Sequence, residues 1–179
     1  MVDIEGGTFI MGSDSHTHYW DYAGKIYYIE EPSHSEKVKS FKLNKYEITQ
    51  KIWESIMDNN PSRYFGDDYP VTNVSWNDCQ SFINKIHLLL DIDFRLPTET
   101  EWEYVARKYL PQVHEEYIDY IKRTEWVSND ADKLPLSVGS KECNGIGVYD
   151  IIGNVREWKS DHASLDYNHP RNLSNYLAR

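Results

Sequence analysis

The chain has 179 residues, with 19 Lys and Arg against 29 Asp and Glu, a net charge of −10. That length suits one domain, taken as 1–179, with a core of its own. The acidic balance, with no Lys/Arg run longer than two, argues against a phosphate-binding face and so against nucleic acid, while it suits solubility and divalent cations.

No apolar stretch approaches the roughly 18 residues of a membrane span, so no membrane partner is expected. The start MVDIEGG has neither a basic nor an apolar leader region, which points to a cytoplasmic protein with Cys79 and Cys143 reduced. The N-x-S sequons at Asn73 and Asn172 therefore carry little weight. Fourteen Tyr and six Trp are many for this length and suit both irregular cores and binding surfaces.

In chain order, VDIEGGTFIMGS reads as a short strand with a turn at Gly6-Gly7 and with Phe9 and Met11 on one side. Residues 14–36 are aromatic, polar and aperiodic, which predicts a long ordered loop. KVKSFKLNKYEI returns to a strand pattern. A first helix is expected from Thr49 as N-cap, with Ile52, Trp53, Ile56 and Met57 inward. Ser75 caps a second, with Asp78 at its third position and a stripe of Cys79, Phe82, Ile83, Ile86 and Leu90. TETE opens a third at Thr98, where Glu101 reaches back as a capping box and Trp102, Val105 and Ala106 face the core. VHEEYIDYIKR suggests a fourth, and from Trp126 onward the pattern is loops with brief strands.

Several strings occur in order: GGTFIMGS, EEPSHSEKVKSFKLNKYEIT, YPVTNVSWNDCQSF, RLPTETEWEYVAR and NGIGVYDIIGNVREW. Together they resemble the formylglycine-generating enzyme family, the sulfatase-modifying-factor domain, from Gly6 to about Asp161. The resemblance implies an α+β, C-type-lectin-like fold with a small antiparallel sheet, two main helices and extensive ordered loops. Members of that family include copper-dependent oxidases that convert a sulfatase cysteine to formylglycine, and non-catalytic binding domains. The same fold hosts both, so the site must decide.

The family's catalytic cysteines follow a segment resembling R-G-G-S-[WFY] and bind the copper as thiolates, as a soft Cu(I) ion requires. Here no such segment and no cysteine after Cys143 occurs, which suggests a domain incomplete at its C-terminal side and makes copper an unexpected cofactor. Cys79 falls within an apolar stripe and reads as core; Cys143 precedes a loop. No nucleophile elbow, zincin motif or P-loop is present. His16 and His18 make only a weak H-x-H pair, more readily a solvated loop, and His34 reads as loop packing. His162 has no partner visible in the sequence.

The stretch DIIGNVREW sets Asp150 and Glu157 around a Gly-Asn turn. Calcium takes six to eight hard oxygens, mixing carboxylates with carbonyls on a turn, and glycine frees the backbone to aim them. The plainer reading makes Glu157 a hydrogen-bond acceptor for the loop and Asp150 a turn cap. The resemblance implies calcium, held by the Asp150 and Glu157 carboxylates and the Gly153 and Val155 carbonyls; Arg156 stands where the family usually has Trp. A second calcium near Asn129, Asp130 and Asp132 is a family possibility that loop charge alone does not support.

Two functions follow. One is a non-catalytic, calcium-stabilised scaffold that binds a protein or glycan, or a partner chain that completes its sheet. The other is a divergent or truncated copper-dependent formylglycine-generating oxidase.

Overall fold

A computed structural model describes residues 1–14, 32–108, 123 and 134–161 in full, and 18–20 and 26–28 as strand backbone. Strands β1 (Val2–Ile4), β2 (Gly7–Met11), β3 (His18–Trp20), β4 (Ile26–Tyr28), β5 (His34–Val38) and β6 (Phe41–Leu43) precede helices α1 (Gln50–Met57), α2 (Trp76–Leu90) and α3 (Glu99–Arg107).

β1 pairs with β6 and β2 with β5, both antiparallel, and the register runs without a slip from Val2↔Leu43 to Met11↔His34. The four strands thus form one interrupted ribbon. Gly6-Gly7 is its interruption rather than a chain reversal. At the break Gly6 N–H donates to Ser40 Oγ at 3.1 Å, and a Cβ on Gly6 would stand 2.4 Å from Val38 O. Phe9 and Met11 do share a face, since β2 alternates and Ile10 between them is 58% exposed. The expected 14–36 loop holds one further antiparallel pair, β3 with β4, and yields its last three residues to β5.

Each helix starts as the sequence predicts. Thr49, Ser75 and Thr98 are extended N-caps whose hydroxyls accept from N–H groups three residues on, and Asp78 and Glu101 close capping boxes. Their inward faces differ in detail. On α1, Gln50 is buried and Ile52 exposed: the buried amide donates to Tyr64 O and Pro70 O and accepts from Asn60 and Gly66, tying down the loop that follows. On α2, Phe82 and Ile86 are buried, Cys79 is half-buried and Leu90 is 58% exposed.

Two cores result. Ile4 and Val38 of the ribbon meet Tyr104, Val105 and Ala106 of α3 and Val148 and Ile151 of the 134–161 segment. Trp53, Phe82 and Ile86 join α1 to α2, with the Trp53 and Phe82 rings stacked at 4.9 Å, a geometry worth about 1 kcal/mol beyond the buried area. The 134–161 segment contains turns and no strand among the described residues. The fourth expected helix lies outside the described residues apart from Arg123.

Candidate functional site

The 134–161 segment is built by side chains that replace sheet partners. Buried Asn144 accepts from Ile146 N–H and Val148 N–H and donates to Val105 O at 3.3 Å, fastening the segment to α3. Tyr149 N–H donates to Lys45 O at 3.0 Å. Asn154 pairs with the Leu136 backbone as a strand would, accepting from its N–H at 3.0 Å and donating to its carbonyl at 3.1 Å. Downstream, Trp76 and Trp158 donate their indole N–H groups to Lys159 O and Val74 O. Asp161 accepts from Glu99 N–H at the start of α3 at 2.8 Å.

This frame sets three carboxyls near enough for their charges to interact. Asp150 is 3% exposed; its Oδ2 accepts from Gly139 N–H at 2.6 Å, while its buried Oδ1 accepts from no described residue. Glu157 Oε2 accepts from Trp102 Nε1 at 2.5 Å. Glu47, from the β6–α1 connection, accepts from the Asn154 side-chain amide at 2.7 Å and from Val155 N–H at 3.3 Å.

All three carboxyls titrate above their ordinary range. Burial lifts Glu47 to about 8, and the charges of Glu157 and Asp150 push the same way against its hydrogen bonds to Asn154 and Val155. Burial also raises Asp150, opposed by the Gly139 hydrogen bond. Burial raises Glu157 too, opposed by Trp102 and by the charge of Lys159. Glu157 is exposed as a whole residue, so its carboxyl is crowded by protein without being sealed from water. A cluster that resists its own ionisation is short of positive charge.

Of the predicted ligands, Asp150 and Glu157 lie near enough for their charges to interact. The left-handed residues of the stretch are Asp150 (φ 57°) and Asn154 (φ 56°), and not Gly153. A non-glycine residue in that conformation costs on the order of 1 kcal/mol, least for Asp and Asn, and here both are anchored by their side chains. Among the described residues no three Asp, Glu, His or Cys side chains converge closely enough to hold an ion by themselves. A cation here therefore needs carbonyl oxygens beside Asp150 and Glu157, the mixed set that Gly153 and Val155 would complete. Asp150 Oδ1, buried and without a donor among the described residues, has the chemistry that would suit a hard divalent ion.

Sequence reasoning passed over Glu47, Gly139 and Trp102. Gly139 is left-handed (φ 68°), and a Cβ there would lie 2.6 Å from the Tyr46 ring. The surrounding surface is aromatic and cationic: Tyr46 and Tyr149 rings stand 4.9 Å apart beneath Lys45 Nζ, and Lys159 Nζ lies 4.5 Å over Trp102.

Cys79 is not a poised thiolate. Burial and the charge of Asp78 push Cys79 up to about 11, and Cys143 hydrogen-bonds the Tyr149 hydroxyl. His34 Nδ1 is 3.0 Å from Pro32 O and Nε2 is 3.5 Å from Glu36, in keeping with loop packing. Asn73 of the first sequon is exposed. His16, the side chain of His18, Asn129, Asp130, Asp132, His162 and Asn172 lie outside the described residues.

The architecture is the α+β, C-type-lectin-like arrangement of the formylglycine-generating enzymes. The sulfatase-modifying factor enzyme 1-like domain matches residues 1–177, and the chain belongs to that family. It is 27% identical over 190 residues to the chaperone protein LppX of Paenibacillus barcinonensis, covering 75% of this chain and 68% of LppX. It is 34% identical over 114 residues to the formylglycine-generating enzyme of Streptomyces coelicolor, covering 56% of this chain and 34% of that enzyme. Treponema denticola variable protein 1 superposes with a TM-score of 0.72 at 23% identity, over 95% of this chain and 78% of that one. The chain spans about a third of the Streptomyces enzyme's length. No helix among the described residues is long and apolar enough to cross a membrane.

Proposed function

We propose that the domain is a non-catalytic member of its family, a calcium-stabilised scaffold that binds a protein or glycan. The observation that carries the calcium reading is the buried Asp150 Oδ1, which has no hydrogen-bond donor among the described residues, on a carboxylate whose charge, with that of Glu157, raises Glu47. A bound divalent cation would answer both features, and when bound it would supply charge neutralisation and rigidity to the 134–161 segment. Asp150 and Glu157 would give side-chain oxygen, and Gly153 and Val155 backbone oxygen. A location in the cytoplasm is part of the same reading.

The binding role draws support from the exposed Phe65 and Trp76, and from Tyr46, Tyr149 and Lys45 beside the ion turn. LppX, named a chaperone protein, favours a protein ligand over a glycan. Among the described residues each strand has a single hydrogen-bonded neighbour, which leaves edges where a partner chain could add. The high thiol pKa of Cys79 speaks against copper at that residue.

The second reading is a divergent copper-dependent oxidase, favoured by the 34% identity to the Streptomyces enzyme. Oxygen consumption by the purified protein with copper and a C-x-P-x-R peptide separates the two. The scaffold reading expects none above background; turnover with conversion of the peptide cysteine would overturn it.

A further inference from the structure

The sequence motif supplies the ion's ligands but not the force that holds their backbone in place. Gly153 and Val155 offer carbonyls from the peptides on either side of the 154–155 peptide. Glu47 grips that central peptide: Oε1 accepts from Val155 N–H at 3.3 Å and Oε2 from the Asn154 amide at 2.7 Å. Asn154 is itself locked to the Leu136 backbone and held at φ 56°. With the Val155 N–H and the Asn154 side chain both fixed, neither flanking peptide can rotate freely, and the directions of their carbonyls follow.

We propose that Glu47 is a positioning residue of the cation turn, acting through Asn154 and Val155 to aim the Gly153 and Val155 carbonyls at the ion without binding it. The inference rests on the calcium reading above and adds to it a residue outside the motif. With the ion bound, Glu47 is a carboxylate that accepts from two donors with two oxygens, whereas Gln offers one acceptor and opposes its own amide to that of Asn154. Carboxylate length matters as well, because both donors must be reached at once. Groups that orient metal ligands in this way typically change affinity by about 10–100-fold when replaced.

The test uses terbium(III) as a luminescent calcium substitute on the full chain, with Glu47→Gln and Glu47→Asp, each first checked for the wild-type circular dichroism spectrum. Affinity is read by titration and by calcium competition, and the number of metal-bound waters from luminescence lifetimes in H₂O and D₂O. Exchange of the Val155 amide proton is followed separately in metal-free protein. The expected result is a roughly 10–100-fold weaker affinity in both variants with an unchanged water count, and faster Val155 exchange without metal. Glu47→Asp keeps the charge, so wild-type affinity in it would assign the effect to charge alone and overturn the positioning role. One additional bound water in Glu47→Gln would make Glu47 a ligand and overturn it equally. Unchanged affinity in both variants would remove Glu47 from the site while leaving calcium standing. No terbium or calcium binding by the wild type would remove the calcium reading itself, and this inference with it.

Discussion

Raising the pH of the calcium-free protein should destabilise it across a range where most proteins are indifferent. Glu47 ionises at about 8 in the fold against an ordinary value of 4.5. A carboxyl raised in this way favours the fold while it is protonated. That contribution is complete below about 4.5 and is lost as pH rises through about 8. Each pH step inside this window is worth about 1.4 kcal/mol, so from pH 5.5 to 8 the loss reaches at most about 3 kcal/mol, less where water screens the partly exposed residue. Asp150 and Glu157, also raised, act in the same direction. Asp78 and Glu101 are lowered, so their contribution is already complete above the ordinary carboxylate range and does not mask the trend. For a chain of this length about 3 kcal/mol lowers the midpoint by roughly 6–12 °C. Thermal melts in chelator at half-unit pH intervals measure the slope, and saturating calcium should flatten it because the ion takes over the role of the proton. A flat profile in chelator between pH 5.5 and 8 would refute the assignment of Glu47 as a carboxyl raised by burial and, further, by Glu157 and Asp150.

Two further outcomes follow from the same geometry. Trp102 donates its indole N–H to Glu157, so calcium should change the tryptophan emission, and Trp102→Phe should remove most of that change while leaving calcium bound; a full response in the variant would place the reporter elsewhere. Gly139→Ala puts a Cβ against the Tyr46 ring at a left-handed position and disturbs the N–H that holds Asp150. It should cost about 1–2 kcal/mol in chemical denaturation and weaken calcium by titration calorimetry, and an unchanged affinity would show that Gly139 does not set Asp150.

What the sequence made legible was local. Thr49, Ser75 and Thr98 could be read as caps because each hydroxyl bonds an N–H three residues away. Asp150 and Glu157 could be read as a pair because seven residues and a turn separate them. Glu47 could not, because its partners Asn154 and Val155 lie more than a hundred residues further along the chain. The same holds for the ribbon, where Val2 must find Leu43 and Gly6-Gly7 looks like a turn until its partner strand is known. Helical periodicity failed where a face runs past its neighbour: α2 has 15 residues against 8 in α1, and its last turn, with Leu90, has little to pack on among the described residues. Gln50 broke the apolar pattern of α1 because a buried amide there serves four loop contacts.

Calcium titration calorimetry at pH 7.5 on metal-free protein, with Asp150→Asn alongside, bears most directly on the central claim. One tight site is expected in the wild type, at least about 10-fold weaker in the variant. At a hundredfold excess over its dissociation constant, the ion should add about 2.7 kcal/mol of stability. No heat of binding, or equal affinity in the two proteins, would contradict it.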